Sequence, residues 1–425
     1  MNNMKKLMSG FMSVMVALTV LSGCASGTGA NKSNNVKKAD NKSLESGDVT
    51  LTVWSGKEDE ELIKKISDEF IKEHKNEANI TIKWIEMAEG ECRSNLLGDI
   101  LNGPDVYTTT DGEVSTLAAG GGAAQVTNQK QLKSENLESA VDAVTINDKT
   151  YAYPITADNG YFLYYNKQYF SDEDIKSLDT IINKASAAGK KFAMDWSSGW
   201  YLYSFFGLSG LELKLNDDGI TNSCNWNTTE GSVKGADIIA SLKTIAANPG
   251  FESMPQDKWL EGVKNGEVVA LVSGVWDDKA IKEAWGDSFA TATLPSYSCA
   301  SKQIQMGSFF GYKVIGVNPY SKHIKWADEL ARYISNSDNQ KLRFEMRGQA
   351  PSNTEAANSD EVKKSSAVQT VLKQSENSVL QRIGGNYWGA MSELGEMLVS
   401  GSASNTSNQE IIDKVVKEIT SSTIQ

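Results

Sequence analysis

The chain has 425 residues, 40% of them hydrophobic, which is enough to bury a large core and predicts two domains rather than one. It contains 54 acidic and 42 basic residues, so its net charge is −12. Because nucleic-acid binding needs Lys and Arg concentrated along one face, this balance argues against a nucleic-acid partner.

The amino terminus has the features of a secretory signal. Lys5 and Lys6 precede the apolar run Phe11–Leu21, which is too short to span a bilayer. This run ends in the letters LSGC, which look like a lipobox. Residues 1–23 are therefore predicted to be a lipoprotein signal peptide, and Cys24 is predicted to be lipidated.

A polar segment follows the predicted lipidation site. Residues 24–47 are rich in Ser, Asn, Gly and Lys, which predicts a flexible tether between a membrane anchor and a folded domain. The expected location is the extracellular face of the cell membrane, on a Gram-positive surface. The lipobox alone leaves a periplasmic anchor open.

Strands and helices alternate at the start of the folded part. In chain order we predict the strand Val49–Trp54, the helix Leu62–Ile71, the strand Ile80–Trp84, the helix Ser94–Leu101 and the strand Val106–Tyr107. This order predicts an α/β fold with helices on both faces of an open sheet. Ligands of such sheets bind beyond the carboxyl ends of the strands, which favours Ser55–Glu58 and Thr108–Asp111.

The segment Tyr151–Lys167 contains two extended runs separated by a break. The second run, Tyr161–Tyr165, is continuously apolar and predicts a strand buried on both faces. The break, Thr156–Gly160, is small and polar, and neither flank alternates as a half-exposed hairpin would. We interpret the break as a crossing between two lobes.

Three motifs carry a resemblance to a known family. They are the YPI…D…YNK pattern of Tyr151–Lys167, the sequence LEGVKNGEVVALVSG of Leu260–Gly274, and the sequence RGQAPSN of Arg347–Asn353. From about residue 48 onward the chain resembles the extracellular solute-binding proteins of carbohydrate ABC importers. The likeness is closest to the maltose/maltodextrin branch.

The resemblance implies a two-lobe periplasmic-binding-protein-like (type II) fold, with three hinge crossings and a ligand cleft between the lobes. It implies a monomer, not an enzyme, that captures malto-oligosaccharides (α-1,4 glucans) by hinge closure and delivers them to a membrane permease. No cofactor is expected. The implied segments are 48–156 plus 297–347 for the first lobe, 158–292 plus 354–425 for the second, and crossings near 156–158, 292–296 and 347–353.

A sugar site needs flat aromatic surfaces for C–H faces and carboxylates or amides for hydroxyls. Trp276 and Trp388 match family positions that form the aromatic floor, and Trp200 matches another stacking aromatic. Trp196 has no such match, and Asp158 matches the acidic residue that faces the sugar. The predicted ligand-binding residues are Ser55, Lys57, Glu58, Asp111, Asp158, Asn159, Trp196, Trp200, Trp276, Tyr387 and Trp388.

Several other tryptophans are predicted to belong to the core. They lie within strand or helix patterns, where packing explains them: Trp54, Trp84, Trp259, Trp285 and Trp326. The chain also departs from the family pattern. Thr109 stands where a Trp platform occurs in the enteric branch, and Gly112 and Glu113 replace a charged pair.

Two alternative functions remain open at this point. A surface glycoside hydrolase could use two carboxylates such as Asp111 and Asp158, although no recognised catalytic pattern is present. A binder of a different solute, such as another oligosaccharide, a peptide or a polyamine, would keep the same fold.

The cysteines indicate neither a zinc site nor a disulfide framework. Beyond Cys24 the chain has Cys92, Cys224 and Cys299, with no C-x-x-C motif and no His at ligand spacing. No metal site is therefore predicted. A bridge between one pair, such as Cys224 and Cys299, stays open.

Overall fold

A computed structural model of the protein describes residues 44–422. The predicted signal peptide, the lipidation of Cys24 and most of the predicted tether lie outside the described residues. The strands are β1 (Asp48–Ser55), β2 (Asn79–Glu86), β3 (Val106–Thr110), β4 (Thr145–Ile146), β5 (Lys149–Thr150), β6 (Tyr153–Pro154), β7 (Phe162–Asn166), β8 (Lys191–Ala193), β9 (Leu213–Leu215), β10 (Asn222–Cys224), β11 (Phe251–Glu252), β12 (Val268–Ser273), β13 (Phe289–Ala292), β14 (Ser296–Cys299), β15 (Lys302–Gln305), β16 (Ser308–Phe310), β17 (Lys313–Val317) and β18 (Ser378–Leu380).

Helices connect and cover these strands, with short 3₁₀ turns between some of them. The α-helices are α1 (Glu60–Glu73), α2 (Glu89–Gly98), α3 (Asp111–Ala119), α4 (Gln129–Glu135), α5 (Glu138–Ala143), α6 (Leu178–Ala187), α7 (Gly199–Leu202), α8 (Gly235–Ala246), α9 (Gln256–Asn265), α10 (Asp278–Trp285), α11 (Ile324–Ile334), α12 (Ser337–Arg347), α13 (Thr354–Ala357), α14 (Asp360–Lys364), α15 (Ser366–Gln374), α16 (Asn386–Val399) and α17 (Asn408–Ile419).

The first lobe is built on a five-stranded sheet with the order β2-β1-β3-β17-β6. Strands β1, β2 and β3 run parallel, and β17 is antiparallel to both β3 and β6. Helix α1 buries its apolar stripe, which includes Leu62, Ile66 and Phe70, and α11 adds Trp326 to the same core. This arrangement confirms the predicted strand–helix alternation.

The second lobe is built on a separate five-stranded sheet with the order β11-β8-β12-β7-β13. Strand β8 is parallel to β11 and β12, whereas β7 is antiparallel to β12 and β13. Every residue of β7 and β12 is buried, so both strands are covered on both faces. The prediction of a fully buried strand within Tyr161–Tyr165 is confirmed, with the strand placed one residue later.

The chain first passes between the sheets within Tyr151–Lys167, since β6 belongs to the first sheet and β7 to the second. The intervening residues are hydrogen-bonded to the chain as it returns to the first lobe. The backbone N–H of Ile155 donates to Lys313 O at 2.9 Å, and that of Asn159 donates to Gly311 O at 3.2 Å. The break predicted at Thr156–Gly160 is therefore a crossing between lobes.

The predicted position of the second crossing, near 292–296, is wrong. The hairpin of β14 and β15 packs on the second lobe, where the Tyr297 hydroxyl donates to Phe205 O at 2.6 Å. Phe309 of β16 stacks on Tyr203 with ring centroids 3.9 Å apart. Burial of these aromatic side chains holds the segment, and the chain joins the first sheet only at β17. The predicted first-lobe segment 297–347 therefore begins too early.

The third passage follows α12, which ends at Gly348 with φ of 70°. The predicted second-lobe start at residue 354 is slightly early, because Thr354 Oγ1 still donates to Glu135 O of the first lobe at 3.0 Å. Val362 of α14 is the first residue beyond this point in the second-lobe core. Helix α15 then packs on β7 and β13.

Two further predictions concern local structure. The helix predicted at Ser94–Leu101 begins and ends earlier, as α2, because Asp99–Gly103 forms turns before β3. The three cysteines of the described range, Cys92, Cys224 and Cys299, are free, which answers the question of a bridge. Among residues 44–422 no helix is long and apolar enough to cross a membrane.

Candidate functional site

A cavity of about 620 Å³ lies between the two lobes. Glu58, in the short 3₁₀ turn that follows β1, and Thr110, the last residue of β3, are on its first-lobe side. The second lobe contributes Trp200, Trp276 and Trp388. The cavity therefore lies at the carboxyl ends of the first-lobe parallel strands, where ligands of open α/β sheets bind.

The second-lobe wall is aromatic. Trp200 lies in the first turn of α7, Trp276 in the turn after β12, and Trp388 in the first turn of α16. All three side chains are half-buried. The rings of Trp200 and Trp276 lie 5.8 Å apart at 37°, and Tyr161 packs edge-on against Trp200 at 4.5 Å. Half-buried indoles backed by other rings present rigid apolar faces at low entropic cost.

The turn that carries Trp276 depends on a glycine. A Cβ built on Gly274 would lie 2.1 Å from the Cη2 and Cζ3 atoms of the Trp276 indole. The indole therefore lies directly on the backbone of Gly274. The position of this aromatic face is set by the absence of a side chain two residues earlier.

The first-lobe wall carries charged side chains that form ion pairs with each other. Lys313 Nζ lies 3.1 Å from Glu89 Oε1, and both residues line the cavity. Burial tends to lower the pKa of Lys313, but the carboxylates of Glu89 and Asp59 outweigh it and raise that pKa. The ammonium group is thus held charged beside the Glu89 carboxylate at the wall of the cavity.

Two arginines of α12 share one buried carboxylate. The buried Asp59 carboxylate accepts from Arg343 Nη1 at 2.5 Å and from Arg347 Nε at 3.0 Å. Burial would raise the pKa of Asp59, but the Arg343 charge and hydrogen bond hold it below its usual range. Arg347 lines the cavity, and its position is fixed by Asp59 from behind.

Five of the predicted site residues line this cavity: Glu58, Asn159, Trp200, Trp276 and Trp388. Lys57 is exposed beside Glu58 but does not line the cavity. Ser55 is fully buried, and its hydroxyl accepts a hydrogen bond from Trp84 Nε1 at 2.8 Å. Strand β1 turns the side chain of Ser55 into the protein, so Ser55 does not line this cavity.

Two predicted aromatic contacts lie behind the wall instead of on it. Trp196 has no exposed surface and packs against Phe205 and Phe251, with centroids 5.6 and 4.4 Å away. Tyr387 is also fully buried, and its hydroxyl donates to Gly199 O at 2.7 Å. Neither ring can stack on a ligand here. Tyr387 instead holds the start of the helix that carries Trp200.

Asp158 connects two of the crossings. Its Oδ2 atom accepts from the backbone N–H of Ala350, and the N–H of Ala157 donates to Ala350 O at 2.8 Å. Burial raises the pKa of Asp158 to about 6, against opposing hydrogen bonds from Thr156 and Ala350. With 2% of its surface exposed, Asp158 holds two crossings together in this structure and does not line the cavity, so its contact with the sugar stays a prediction.

Asp111 lies at the start of α3 and lines a neighbouring cavity, not the first one. Its Oδ1 atom accepts from the backbone N–H of Tyr312 at 2.8 Å. Burial raises the pKa of Asp111 to about 6, although the Tyr312 hydrogen bond and the Arg382 charge oppose this.

Several cavity residues were not predicted from the sequence. Glu89, Lys313 and Arg347 lie inside or at the ends of regular elements, where their charges look like ordinary surface charges. Gln256 and Gln381 also line the cavity, and Gln256 Nε2 donates to the buried Asp277 at 2.8 Å. Thr110, in contrast, falls within the favoured segment Thr108–Asp111 at the end of β3. Nothing in the sequence pattern marks the others.

The described part of the chain holds no group of three or more His, Cys, Asp or Glu side chains placed to bind a metal ion. What the cavity offers is an aromatic wall facing donors and acceptors. This combination suits a ligand with apolar faces and a rim of hydroxyl groups.

Comparisons with known proteins agree with this geometry. A galactooligosaccharide-binding protein of Bacillus subtilis (strain 168) is 28% identical over 346 residues, covering 77% of this chain and 78% of that protein. A maltooligosaccharide ABC transporter solute-binding lipoprotein of Streptococcus pneumoniae (strain ATCC BAA-255 / R6) is 24% identical over 366 residues, covering 80% of this chain and 81% of that protein.

A solved structure shows the same fold. The maltodextrin-binding protein MalE1 from L. casei BL23, without ligand, superposes with a TM-score of 0.74 at 23% identity, covering 88% of this chain and 99% of that chain. The model of one protein family, bacterial extracellular solute-binding proteins, matches residues 65–370. These relatives are binding proteins and not enzymes. The chain therefore belongs to the family of bacterial extracellular solute-binding proteins.

Proposed function

We propose that the protein captures malto-oligosaccharides, which are α-1,4-linked glucans, and delivers them to the permease of an ABC importer. The observation that carries the proposal is that the two walls of the cleft differ in chemistry. Trp200, Trp276 and Trp388 form one wall, and the paired charges of Glu89–Lys313 and Arg347 lie on the other lobe. Sugar C–H faces fit the first wall and sugar hydroxyls fit the second.

The proposed mechanism is hinge closure. A ligand that contacts both walls binds the closed form better than the open one, and this differential affinity shifts the population toward closure. The permease would recognise closure because it meets both lobes. The protein acts as a monomer, without catalysis, and is held by a lipid on Cys24 at the extracellular face of a Gram-positive membrane.

A second candidate ligand has specific support. The relative named for galacto-oligosaccharides aligns with most of the chain, so a galacto-oligosaccharide is a second candidate for the same aromatic wall. Both sugars offer apolar faces and hydroxyls, and the wall itself does not distinguish them. The two sugars differ in linkage geometry, so titration with both of them decides between the candidates.

Isothermal titration tests the proposal with protein purified from residue 25 onward, which lacks the predicted leader and acylation site. Maltotriose and maltotetraose are titrated beside a galacto-oligosaccharide and a xylo-oligosaccharide, while sugar release is assayed. Micromolar binding of α-glucans, lost in Trp276→Ala and without hydrolysis, supports the proposal. Binding of the galacto-oligosaccharide alone supports the second candidate, and new reducing ends would make the protein a hydrolase.

A further inference from the structure

The first-lobe sheet has one end at the cavity and another end far from it. The cavity lies at the carboxyl ends of β1 and β3, whereas three segments meet at the amino ends of these strands: 44–47 before β1, 99–105 before β3, and 318–325 after the antiparallel β17. We call these three segments together the far surface. The eight residues of β1 separate it from the cavity by about 25 Å.

The far surface carries exposed apolar side chains. Leu101 is 70% exposed and Tyr320 is 54% exposed, the two highest values among the large apolar side chains of residues 44–422. Ile324, at the start of α11, is 39% exposed. The loops that carry Leu101 and Tyr320 adjoin each other, because Asn318 Nδ2 donates to Ile100 O at 2.9 Å. Exposed apolar side chains on adjoining loops are typical of a contact surface.

Basic side chains accompany these apolar groups. Lys322 and Lys325 belong to the segment 318–325, which contains no acidic residue. The two carboxylates of the adjoining loop, Asp99 and Asp105, both accept hydrogen bonds from side chains of the protein. In a chain with a net charge of −12, the segment 318–325 is therefore locally basic.

The folded domain also begins at the far surface. Trp326 Nε1 donates to Glu45 O at 2.8 Å, and His323 Nδ1 lies 3.1 Å from Glu45 Oε2, so the chain is held beside the start of α11. Leu44 stands 20 residues after the predicted lipidation site, Cys24. A flexible tether of that length, as the sequence predicts, would span about 25 Å on average. The far surface would then be the part of the domain nearest to the membrane.

We propose that the far surface docks on the anionic phospholipid surface of the membrane that holds the lipid anchor. Leu101, Tyr320 and Ile324 enter the boundary between head groups and acyl chains, and Lys322 binds lipid phosphates. Residues 25–43 contain four Lys and one Asp, so the segment that leads to the domain is attracted to the same lipids. This inference rests on the lipid anchor of the proposed function.

Docking gives the anchored receptor a defined resting orientation. The protein stands on its first lobe, with the cavity about 25 Å from the lipid surface and the second lobe beyond it. Only the first lobe can touch the membrane in this orientation. A permease that meets both lobes requires the protein to tilt away from it, so the docking must be reversible. Three apolar side chains and a few Lys give the weak binding that this requires.

The test uses the full chain, acylated by the bacterium that produces it and inserted into the outer leaflet of preformed vesicles. One set of vesicles contains equal parts of phosphatidylglycerol and phosphatidylcholine, and the other contains phosphatidylcholine alone. A membrane-impermeant acetylating reagent labels lysines, and mass spectrometry gives the rate at each. Lys322 should react about fivefold more slowly in the anionic vesicles, the effect of one Lys at an anionic surface. Lys264 of α9, exposed on the second lobe, should react equally in both.

A pair of substitutions tests the apolar contact. Leu101→Ser combined with Tyr320→Ser changes no charge and should return the Lys322 rate in anionic vesicles close to its rate in neutral ones. The matched control is Leu372→Ser combined with Val399→Ser, which removes second-lobe side chains that are 37% and 47% exposed. This control should keep the slow reaction of Lys322.

Three outcomes would overturn the docking, and they can be told apart. Equal Lys322 rates in both kinds of vesicle, with lipid found on Cys24 by mass spectrometry, would overturn the docking and leave the anchor intact. Slowing in detergent without vesicles that increases with protein concentration would assign the far surface to a second copy of the chain. Absence of lipid on Cys24 would overturn the anchor and the docking with it. Sugar capture is measured separately by titration, so its failure would leave the docking result standing.

Discussion

The glycine beneath Trp276 allows the aromatic wall to be displaced without removing an aromatic residue. Gly274 has φ of −100° and ψ of −175°, which alanine can adopt, so Gly274→Ala strains no backbone angle. The added Cβ would lie 2.1 Å from two indole carbons, whereas ordinary contacts begin at 3.4 Å. The indole must therefore shift by about 1.3 Å, the difference between these distances.

Such a shift should weaken ligand binding almost as much as Trp276→Ala. A buried tryptophan at the centre of a binding surface contributes about 2 kcal/mol, which corresponds to a roughly 30-fold change in Kd. We expect Gly274→Ala to raise the Kd for maltotriose by about 10- to 30-fold in isothermal titration. The melting temperature should change little, because Trp276 is only half-buried.

Gly389→Ala is the matched control. Gly389 follows Trp388 in α16, and a Cβ there would meet no atom within 4 Å. This variant should bind like the unmodified protein and gain up to about 1 kcal/mol of stability from helix propensity. Unchanged binding by a folded Gly274→Ala variant would refute the reasoning that the indole position matters for ligand capture.

Three further predictions concern buried residues near the site. Trp196→Ala should lower the free energy of unfolding by about 3–5 kcal/mol in urea, since it empties a fully buried site; a loss below 1 kcal/mol would contradict that burial. Asp158→Ala should cost about 1–3 kcal/mol, because the buried N–H of Ala350 loses its acceptor, whereas Asp158→Asn should recover part of this loss. The third prediction concerns pH: burial raises the native pKa of Asp111 from 3.8 to about 6, so between these values the native state keeps a proton that the unfolded state has lost. Stability due to this group therefore falls as pH rises from 4 to 6, by up to about 3 kcal/mol. The fall should be smaller in Asp111→Asn than in the unmodified protein, and identical pH profiles in urea titrations would contradict it.

Much of the fold could be predicted because local signals agreed with each other. Tyr161–Tyr165 is apolar without alternation, and a strand with that pattern must be covered on both faces. Gly266, with φ of 77°, ends α9 at the turn before β12, as the helix–Gly–strand motif suggested. The hairpin of β14 and β15 was assigned to the wrong lobe because a break at Pro295 does not reveal which core its aromatic residues will join.

The candidate site was harder to predict because the direction of a side chain is set by tertiary packing. Trp196 and Trp200 both follow β8 beside small polar residues, yet one faces the core and the other the cavity. Asp158 stands beside Asn159 in the crossing, yet Asp158 is buried whereas Asn159 lines the cavity. Lys313 and Glu89 are 224 positions apart and meet only after folding.

The contacts of the first crossing bear on how the two lobes can move. This crossing is hydrogen-bonded to Lys313 and Gly311 on the way back to the first lobe, and to Ala350 on the third passage. Because the three connections are hydrogen-bonded to each other, we expect them to bend about a single hinge axis. We expect the lobes to open and shut along one path, with sideways twisting resisted. A partner that meets both lobes could then distinguish an empty receptor from a loaded one by a single angle.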